Sequence, residues 1–186
     1  MNVYKMSLLF FFGFIASVNC LSDGPNSIYD ITINDNNHNA VPLSQYRGRA
    51  MLIINYARLC GFNKLYLDSL EKLADNFKDC NFRVLMIPSN SFLQNPNWNE
   101  EYGKNLTQKN FDVFEEVSVI GSNTHPLYVY LTNQIKGLLF KGIKWNFTKF
   151  LVDPNGKVIE RYSPFTSTDA IGKRLEGILK CNGNKP

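Results

Sequence analysis

The chain has 186 residues, enough for one domain of ordinary size. Hydrophobic residues make up 44% of it and charged residues 19%, which excludes an intrinsically disordered chain. The formal net charge is only +4 and no long basic run occurs, so nucleic acid is not expected as a partner. Four cysteines and two histidines are too few and too scattered to predict a metal site or a disulfide scaffold.

The first residues have the layout of a secretory signal peptide. Lys5 precedes a short apolar run over residues 6–16, and small residues follow up to Cys20. The run is too short to cross a bilayer comfortably, so stable membrane insertion is not expected, although an uncleaved anchor is the rival interpretation. We therefore predict a signal peptide over residues 1–20, a single mature domain over residues 21–186, and secretion to the extracellular space.

The cysteine count depends on where this peptide is cleaved. A cut after Cys20 leaves Cys60, Cys80 and Cys181, whereas a cut near Ser17 also fits the small-residue pattern. An odd number of cysteines in a secreted chain predicts at least one free thiol or an intermolecular bond. The sequence leaves open whether Cys80 pairs with Cys181.

The hydrophobic pattern predicts an α/β domain of three layers with a mixed sheet, because a strand–helix–strand unit implies a parallel pair and two hairpins add antiparallel ones. The predicted elements, in chain order, are a hairpin over 28–43, a buried strand over 51–57, a helix over 66–77, a buried strand over 82–87, a loop and short helix over 89–103, an extended segment over 111–119, a helix over 125–131, strands over 147–152 and 157–162, and a final helix capped by Thr168.

Cys60 is the candidate nucleophile because it lies between the strand over 51–57 and the helix that follows. Unpaired backbone N–H groups and the positive end of the macrodipole at a helix start favour thiolate over thiol. A buried structural cysteine is the alternative interpretation. A disulfide with Cys80 is not expected, since the intervening helix separates the two residues by roughly 25 Å.

Four segments, in this order, resemble motifs of the glutathione peroxidase family: residues 55–62 around Cys60, then 87–92, 125–128 and 144–151. The resemblance extends from about Ser27 to about Leu179, nearly the whole mature chain. It implies a thioredoxin-like fold with a central mixed β-sheet flanked by helices, in agreement with the element order. The short spacing between the last two motifs is similar to that of the monomeric phospholipid-hydroperoxide type.

The resemblance implies a peroxidase in which the Cys60 thiolate attacks a hydroperoxide and becomes a sulfenic acid. Trp145 and Asn146 match the family's neutral N–H donors around the reacting sulfur. The implied substrates are hydrogen peroxide or organic and lipid hydroperoxides, with a small thiol such as glutathione as co-substrate and no bound cofactor. Many cysteine-based relatives carry a resolving cysteine in the segment matching 99–110, and its absence here implies an external thiol.

One departure from the family pattern concerns the second motif. Ser91 stands where a glutamine donor is usual, and Gln94 is a possible replacement. Losing one donor costs roughly 10²–10³ in rate, so weakened activity is expected. Two alternatives therefore stay open: a catalytically impaired member that acts as a binding or interaction protein, and a redox sensor or relay. Separately, Asn105 begins a possible N-glycosylation sequon.

Overall fold

The computed structural model of the protein describes residues 24–61, 63–137 and 141–181, without the side chains of residues 63–65. The predicted signal peptide lies outside the described residues. Within the described part of the chain, no helix is long and apolar enough to cross a bilayer. The same part contains no cluster of three or more side chains of the metal-ligating types.

The described elements follow the predicted order of strands and helices. They are β1 (Thr32–Asn34), β2 (Ala40–Pro42), β3 (Ala50–Tyr56), α1 (Asn63–Asn76), β4 (Phe82–Pro88), α2 (Glu100–Thr107), β5 (Phe111–Val113), α3 (Pro126–Gln134), β6 (Lys149–Val152), β7 (Val158–Tyr162) and α4 (Thr168–Glu176), with 3₁₀ turns at Ile28–Asp30 and Leu43–Tyr46.

The central sheet has the strand order β5-β4-β3-β6-β7. Strands β3, β4 and β5 are parallel, whereas β6 runs antiparallel to β3 and β7 antiparallel to β6. All seven residues of β3 are buried, as expected of a central strand covered on both faces. The predicted α/β class with a mixed central sheet is confirmed.

Side chains that alternate along β3 divide the core into two apolar clusters. Leu52 and Ile54 join the cluster that α1 and α4 cover, through residues such as Leu73. Met51 and Ile53 join the opposite cluster, to which α3 contributes Leu127, Tyr128 and Leu131. The helices therefore flank both faces of the sheet. The loops at the ends of its strands are not covered by these helices and are the segments that can form a site.

Several predicted boundaries differ from the structure, and three of them illustrate why. Ile28–Asp30 is a 3₁₀ turn capped by Ser27, so β1 starts later than the hairpin pattern indicated. Ser167, and not the predicted Thr168, caps α4, because its side chain accepts from the backbone N–H of Ala170. The extended segment over 111–119 forms a strand only over Phe111–Val113.

Cys80 and Cys181 form a disulfide. The bond joins the turn after α1 to the chain that follows α4, two elements that already pack on the same face of the sheet. Cys60 is the free cysteine among the described residues, and Cys20 lies outside them. The pairing that the sequence left open is thus intramolecular.

Candidate active site

Three loops meet at one end of the central sheet. The loops after β3 and β4 leave the same edge because these strands are parallel, and β6 starts at this edge because it is antiparallel to β3. The first loop carries Cys60, the second carries Ser91 and Gln94, and the third carries Trp145 and Asn146. The topology therefore brings all five of these predicted residues to one region.

Cys60 is almost completely buried, with 5% of its surface exposed, and it joins the cluster that contains Tyr56 and Phe147. Its backbone N–H donates to the carbonyl of Ala57 at 3.4 Å, which closes the turn after β3. Helix α1 begins only at Asn63, so Cys60 lies just ahead of the helix and outside its first turn. Burial and, secondly, the negative charge of Cys60 raise the pKa of Tyr66, which makes Tyr66 an electrostatic neighbour of the sulfur.

Gln94 connects the Cys60 loop with the loop that carries Asn146. Its backbone carbonyl accepts from the N–H of Leu59 at 2.8 Å. Its side-chain Oε1 accepts from Nδ2 of Asn146, also at 2.8 Å. One residue therefore sets the spacing between the neighbour of Cys60 and the predicted amide donor.

Ser91 forms hydrogen bonds with residues outside the loops of Cys60 and Asn146. Its Oγ accepts from the hydroxyl of Ser89 at 3.0 Å and from the backbone N–H of Val119 at 3.0 Å. These contacts tie the loop after β4 to the segment that follows β5. Of the two possible replacement donors, it is Gln94 that contacts the predicted site residue Asn146.

Asn55 is a buried residue of β3 that holds the third loop in place, and sequence reasoning did not assign it a role. Its Nδ2 donates to the carbonyl of Trp145 at 3.2 Å, and its own carbonyl accepts from the N–H of Phe147 at 2.7 Å. Its backbone N–H donates to the carbonyl of Thr148 at 3.4 Å. A polar side chain inside the apolar run of β3 was the signal that could have identified it.

The third loop turns one predicted donor outward and the other inward. Trp145 is 42% exposed and its ring contacts that of Phe92 at 5.3 Å, whereas Asn146 is fully buried. Phe147 has a φ of 60°, a left-handed conformation that costs energy for a bulky residue. Its ring stacks on Tyr66 at 5.3 Å, and this packing stabilises the strained turn.

Several apolar side chains on these loops are exposed or partly exposed. Leu59, in the loop after β3, is 56% exposed, and Leu93, in the loop after β4, is 85% exposed. Leu93 also has a φ of 57°, which is unusual for leucine. We call Leu59, Phe92, Leu93 and Trp145 the apolar rim.

Comparisons with known proteins agree with this arrangement. The glutathione peroxidase family model matches residues 28–132. The chain is 44% identical over 161 residues to a probable glutathione peroxidase 2 of Arabidopsis thaliana, covering 84% of this chain and 95% of that protein. It is 41% identical over 162 residues to a probable phospholipid hydroperoxide glutathione peroxidase of Mesembryanthemum crystallinum, covering 85% and 95%.

Solved structures give the same result. The crystal structure of T. cruzi GPX1 superposes with a TM-score of 0.69 at 34% identity, covering 82% of this chain and 95% of that one. A thioredoxin-family thiol:disulfide interchange protein of Chlorobium tepidum superposes with a TM-score of 0.59 at 13% identity, over 83% and 96%, which supports the fold alone.

The fold and these likenesses define a thiol peroxidase built on a thioredoxin-like scaffold. The chain belongs to the glutathione peroxidase family. The predicted family, fold and enzyme class are therefore confirmed, and the members of this family take reducing equivalents from a thiol co-substrate.

Proposed function

We propose that Cys60 is the peroxidatic residue, with Trp145 and Asn146 as the groups that assist it. The observation that carries the proposal is the double contact of Gln94, which binds the neighbour of Cys60 through its carbonyl and Asn146 through its side chain. Cys60 is also the free cysteine among the described residues. A reactive thiol and a buried amide donor are thereby placed around one residue.

The chemistry begins when the Cys60 sulfur attacks the terminal oxygen of a hydroperoxide. The O–O bond breaks, the sulfur is oxidised to a sulfenic acid, and the alkoxide takes a proton and leaves as an alcohol. The indole and amide N–H groups of Trp145 and Asn146 are neutral donors suited to the charge that develops on the leaving oxygen.

A small external thiol, with glutathione as the candidate, completes the cycle. A first thiol attacks the sulfenic sulfur and releases water, which leaves a mixed disulfide on Cys60, and a second thiol releases Cys60 as its thiolate with formation of the thiol's disulfide. The segment 99–110 contains no cysteine. Cys80 and Cys181 are bonded to each other beyond the far end of α1, whose 14 residues extend about 20 Å.

Peroxide consumption by the purified mature protein tests these roles. Cys60→Ser is expected to abolish turnover with hydrogen peroxide when glutathione is the reductant. The double variant Cys80→Ser/Cys181→Ser is the matched control and should retain turnover, because neither sulfur takes part. Activity that survives in Cys60→Ser would overturn the proposal. Turnover with thioredoxin but not with glutathione would show that the reductant is thioredoxin and not glutathione.

The apolar rim favours organic and lipid hydroperoxides over hydrogen peroxide as the preferred substrates. Leu59 in the loop of Cys60 and Leu93 in the loop after β4 expose large apolar side chains. Burying an apolar substituent against them contributes about 25 cal/mol per Å². Hydrogen peroxide has no such substituent to bury. The ratio of kcat/KM for a fatty-acid hydroperoxide to that for hydrogen peroxide measures this preference.

We further propose that the mature protein is secreted and acts as a monomer without stable membrane insertion. The signal-peptide pattern over residues 1–20 supports secretion, as does the Cys80–Cys181 disulfide, since such bonds persist in oxidising compartments. Asn105 is exposed on α2 and accessible to a glycan. Mass spectrometry of the protein from culture medium checks cleavage, glycosylation and disulfide state. The elution volume of the protein in size-exclusion chromatography checks that it is a monomer.

A further inference from the structure

Lys149 is a fully buried lysine at the start of β6. Its Nζ donates to three backbone carbonyls, those of Phe147 and Pro164 at 3.0 Å and that of Ser163 at 3.4 Å. Within the described chain it forms no ion pair with a carboxylate. Burying an ammonium group is costly unless it is compensated, so its position calls for an explanation.

The ammonium group of Lys149 contacts two residues next to the candidate active site, Tyr66 and Phe147. Its Nζ is 4.8 Å from the centre of the Tyr66 ring, and the same ring stacks on Phe147. After burial, the charge of Cys60 is the second cause that raises the pKa of Tyr66. Tyr66 therefore contacts the buried cation and is an electrostatic neighbour of the sulfur.

The titratable groups around Lys149 come from three elements. Tyr66 belongs to α1, and Tyr162 of β7 is the cross-strand partner of Lys149. Burial is the main cause that raises the pKa of Tyr162 to about 12, so this phenol stays neutral. Glu160 of β7 pairs with Arg174 of α4 at 3.2 Å. Tyr162 is therefore neutral and Glu160 already has a cationic partner, so neither neutralises the charge of Lys149.

We propose that Lys149 is a positioning residue for the peroxidatic thiolate. Its hydrogen bond to the Phe147 carbonyl fixes the strained turn that follows Asn146. Its charge, which no carboxylate among the described residues neutralises, favours the ionised form of Cys60, because electrostatic fields are weakly screened in a buried region. This inference rests on the proposed function of Cys60.

Burial lowers the pKa of Lys149 to about 8, so the group is still mainly protonated at neutral pH. The cation is therefore present at neutral pH and below, and it is largely lost by about pH 9.

Site-specific alkylation of Cys60 by iodoacetamide, followed by peptide mass spectrometry from pH 5 to 9, tests the proposal. Lys149→Met should slow alkylation at neutral pH by about tenfold and move the midpoint of the pH profile upward by about one unit. Lys149→Arg keeps the charge, so the midpoint of its alkylation profile should lie closer to that of the wild type. Lys157→Met removes an exposed charge from the turn at the other end of β6 and should change nothing.

An unchanged midpoint in Lys149→Met would overturn the proposal, since a merely structural role changes thermal stability and leaves the profile in place. Alkylation does not require peroxidase turnover, so this failure is distinguishable from a failure of the proposed function. If Lys149→Met does not fold, the reciprocal effect is measured by NMR of the Lys149 side chain. The pKa of Lys149 should be lower in Cys60→Ser than in the wild type, and equal values would overturn the proposal.

Discussion

Asn146 donates from Nδ2 to Oε1 of Gln94 over 2.8 Å, and this contact joins the loop before β6 to the loop after β4. The orientation has a consequence for Gln94 itself. Because its Oε1 accepts from Asn146, its amide nitrogen is the end of the side chain that is able to donate to a substrate oxygen. Gln94 thus both orients one predicted donor and has a donor of its own.

Gln94→Ala is expected to lower kcat/KM for hydroperoxide by about tenfold to a hundredfold, because Asn146 loses its partner and the site loses a preorganised amide. Ser91→Ala is the matched control. Ser91→Ala should lower kcat/KM by less than threefold, since the Ser91 hydroxyl forms its hydrogen bonds with Ser89 and Val119 and not with Asn146. Steady-state rates of both variants show which of the two residues supports catalysis. A larger loss in Ser91→Ala than in Gln94→Ala would contradict the role given to Gln94.

The apolar rim predicts a change of substrate preference when its most exposed member is made polar. Leu93→Asn suits this test because asparagine tolerates the left-handed backbone at position 93. KM for a lipid hydroperoxide should rise several-fold, while kcat/KM for hydrogen peroxide should stay within about twofold of the wild type.

Val129→Gln is the control for the rim, because Val129 is a partly exposed apolar residue on α3 and belongs to none of the three loops of the site. It should leave both substrates unaffected. Equal losses for lipid hydroperoxide and hydrogen peroxide in Leu93→Asn would show that the side chain supports the loop and does not bind substrate.

Much of the fold could be predicted because its signals are local. The apolar runs of β3 and β4 and the helical spacing of α1 each lie within one segment of sequence, and their order implies a parallel unit. The position of Cys60 after β3 follows from the same reasoning. The cap of α4 was misplaced by one residue because Ser167 and Thr168 both suit a cap, and only the backbone conformation separates them.

The remaining features depend on contacts that a local pattern does not encode. The pairing of Cys80 with Cys181 joins residues 101 positions apart. The choice of Gln94 over Ser91 depends on a loop that contains a left-handed leucine. Lys149 would be assigned to the surface by composition alone, yet it shares with Leu151 the face of β6 that α1 covers.

Loss of the Cys80–Cys181 disulfide is expected to lower stability and spare activity. A cross-link that closes a loop of about 100 residues stabilises the folded state by about 3–5 kcal/mol, chiefly by restricting the unfolded chain. Urea unfolding of Cys80→Ser/Cys181→Ser should show this loss, and the wild type under a reducing agent should show the same one. Cys60→Ser under non-reducing conditions is the control and should unfold near the wild-type midpoint. A stability loss below 1 kcal/mol would contradict the expected restriction of the unfolded chain by this cross-link.

The buried Lys149 predicts that stability rises with pH above neutrality. Burial lowers the pKa of Lys149 from its ordinary 10.5 to about 8, so between these values the unfolded chain binds more protons than the folded one. The free energy of unfolding therefore increases with pH in this window, and the cost of the buried charge is fully present below about pH 8.

Urea unfolding at pH 7 and pH 10 measures this effect as a difference between wild type and Lys149→Met. The wild type should gain up to about 3 kcal/mol relative to the variant, and the tyrosines that titrate near pH 10 largely cancel because both proteins contain them. Lys149→Arg, which also lacks the titrating amine, should give the same relative gain. Lys157→Met carries an exposed substitution and should follow the wild type at both pH values. A wild-type difference from Lys149→Met that is independent of pH would show that Lys149 is not buried as a cation.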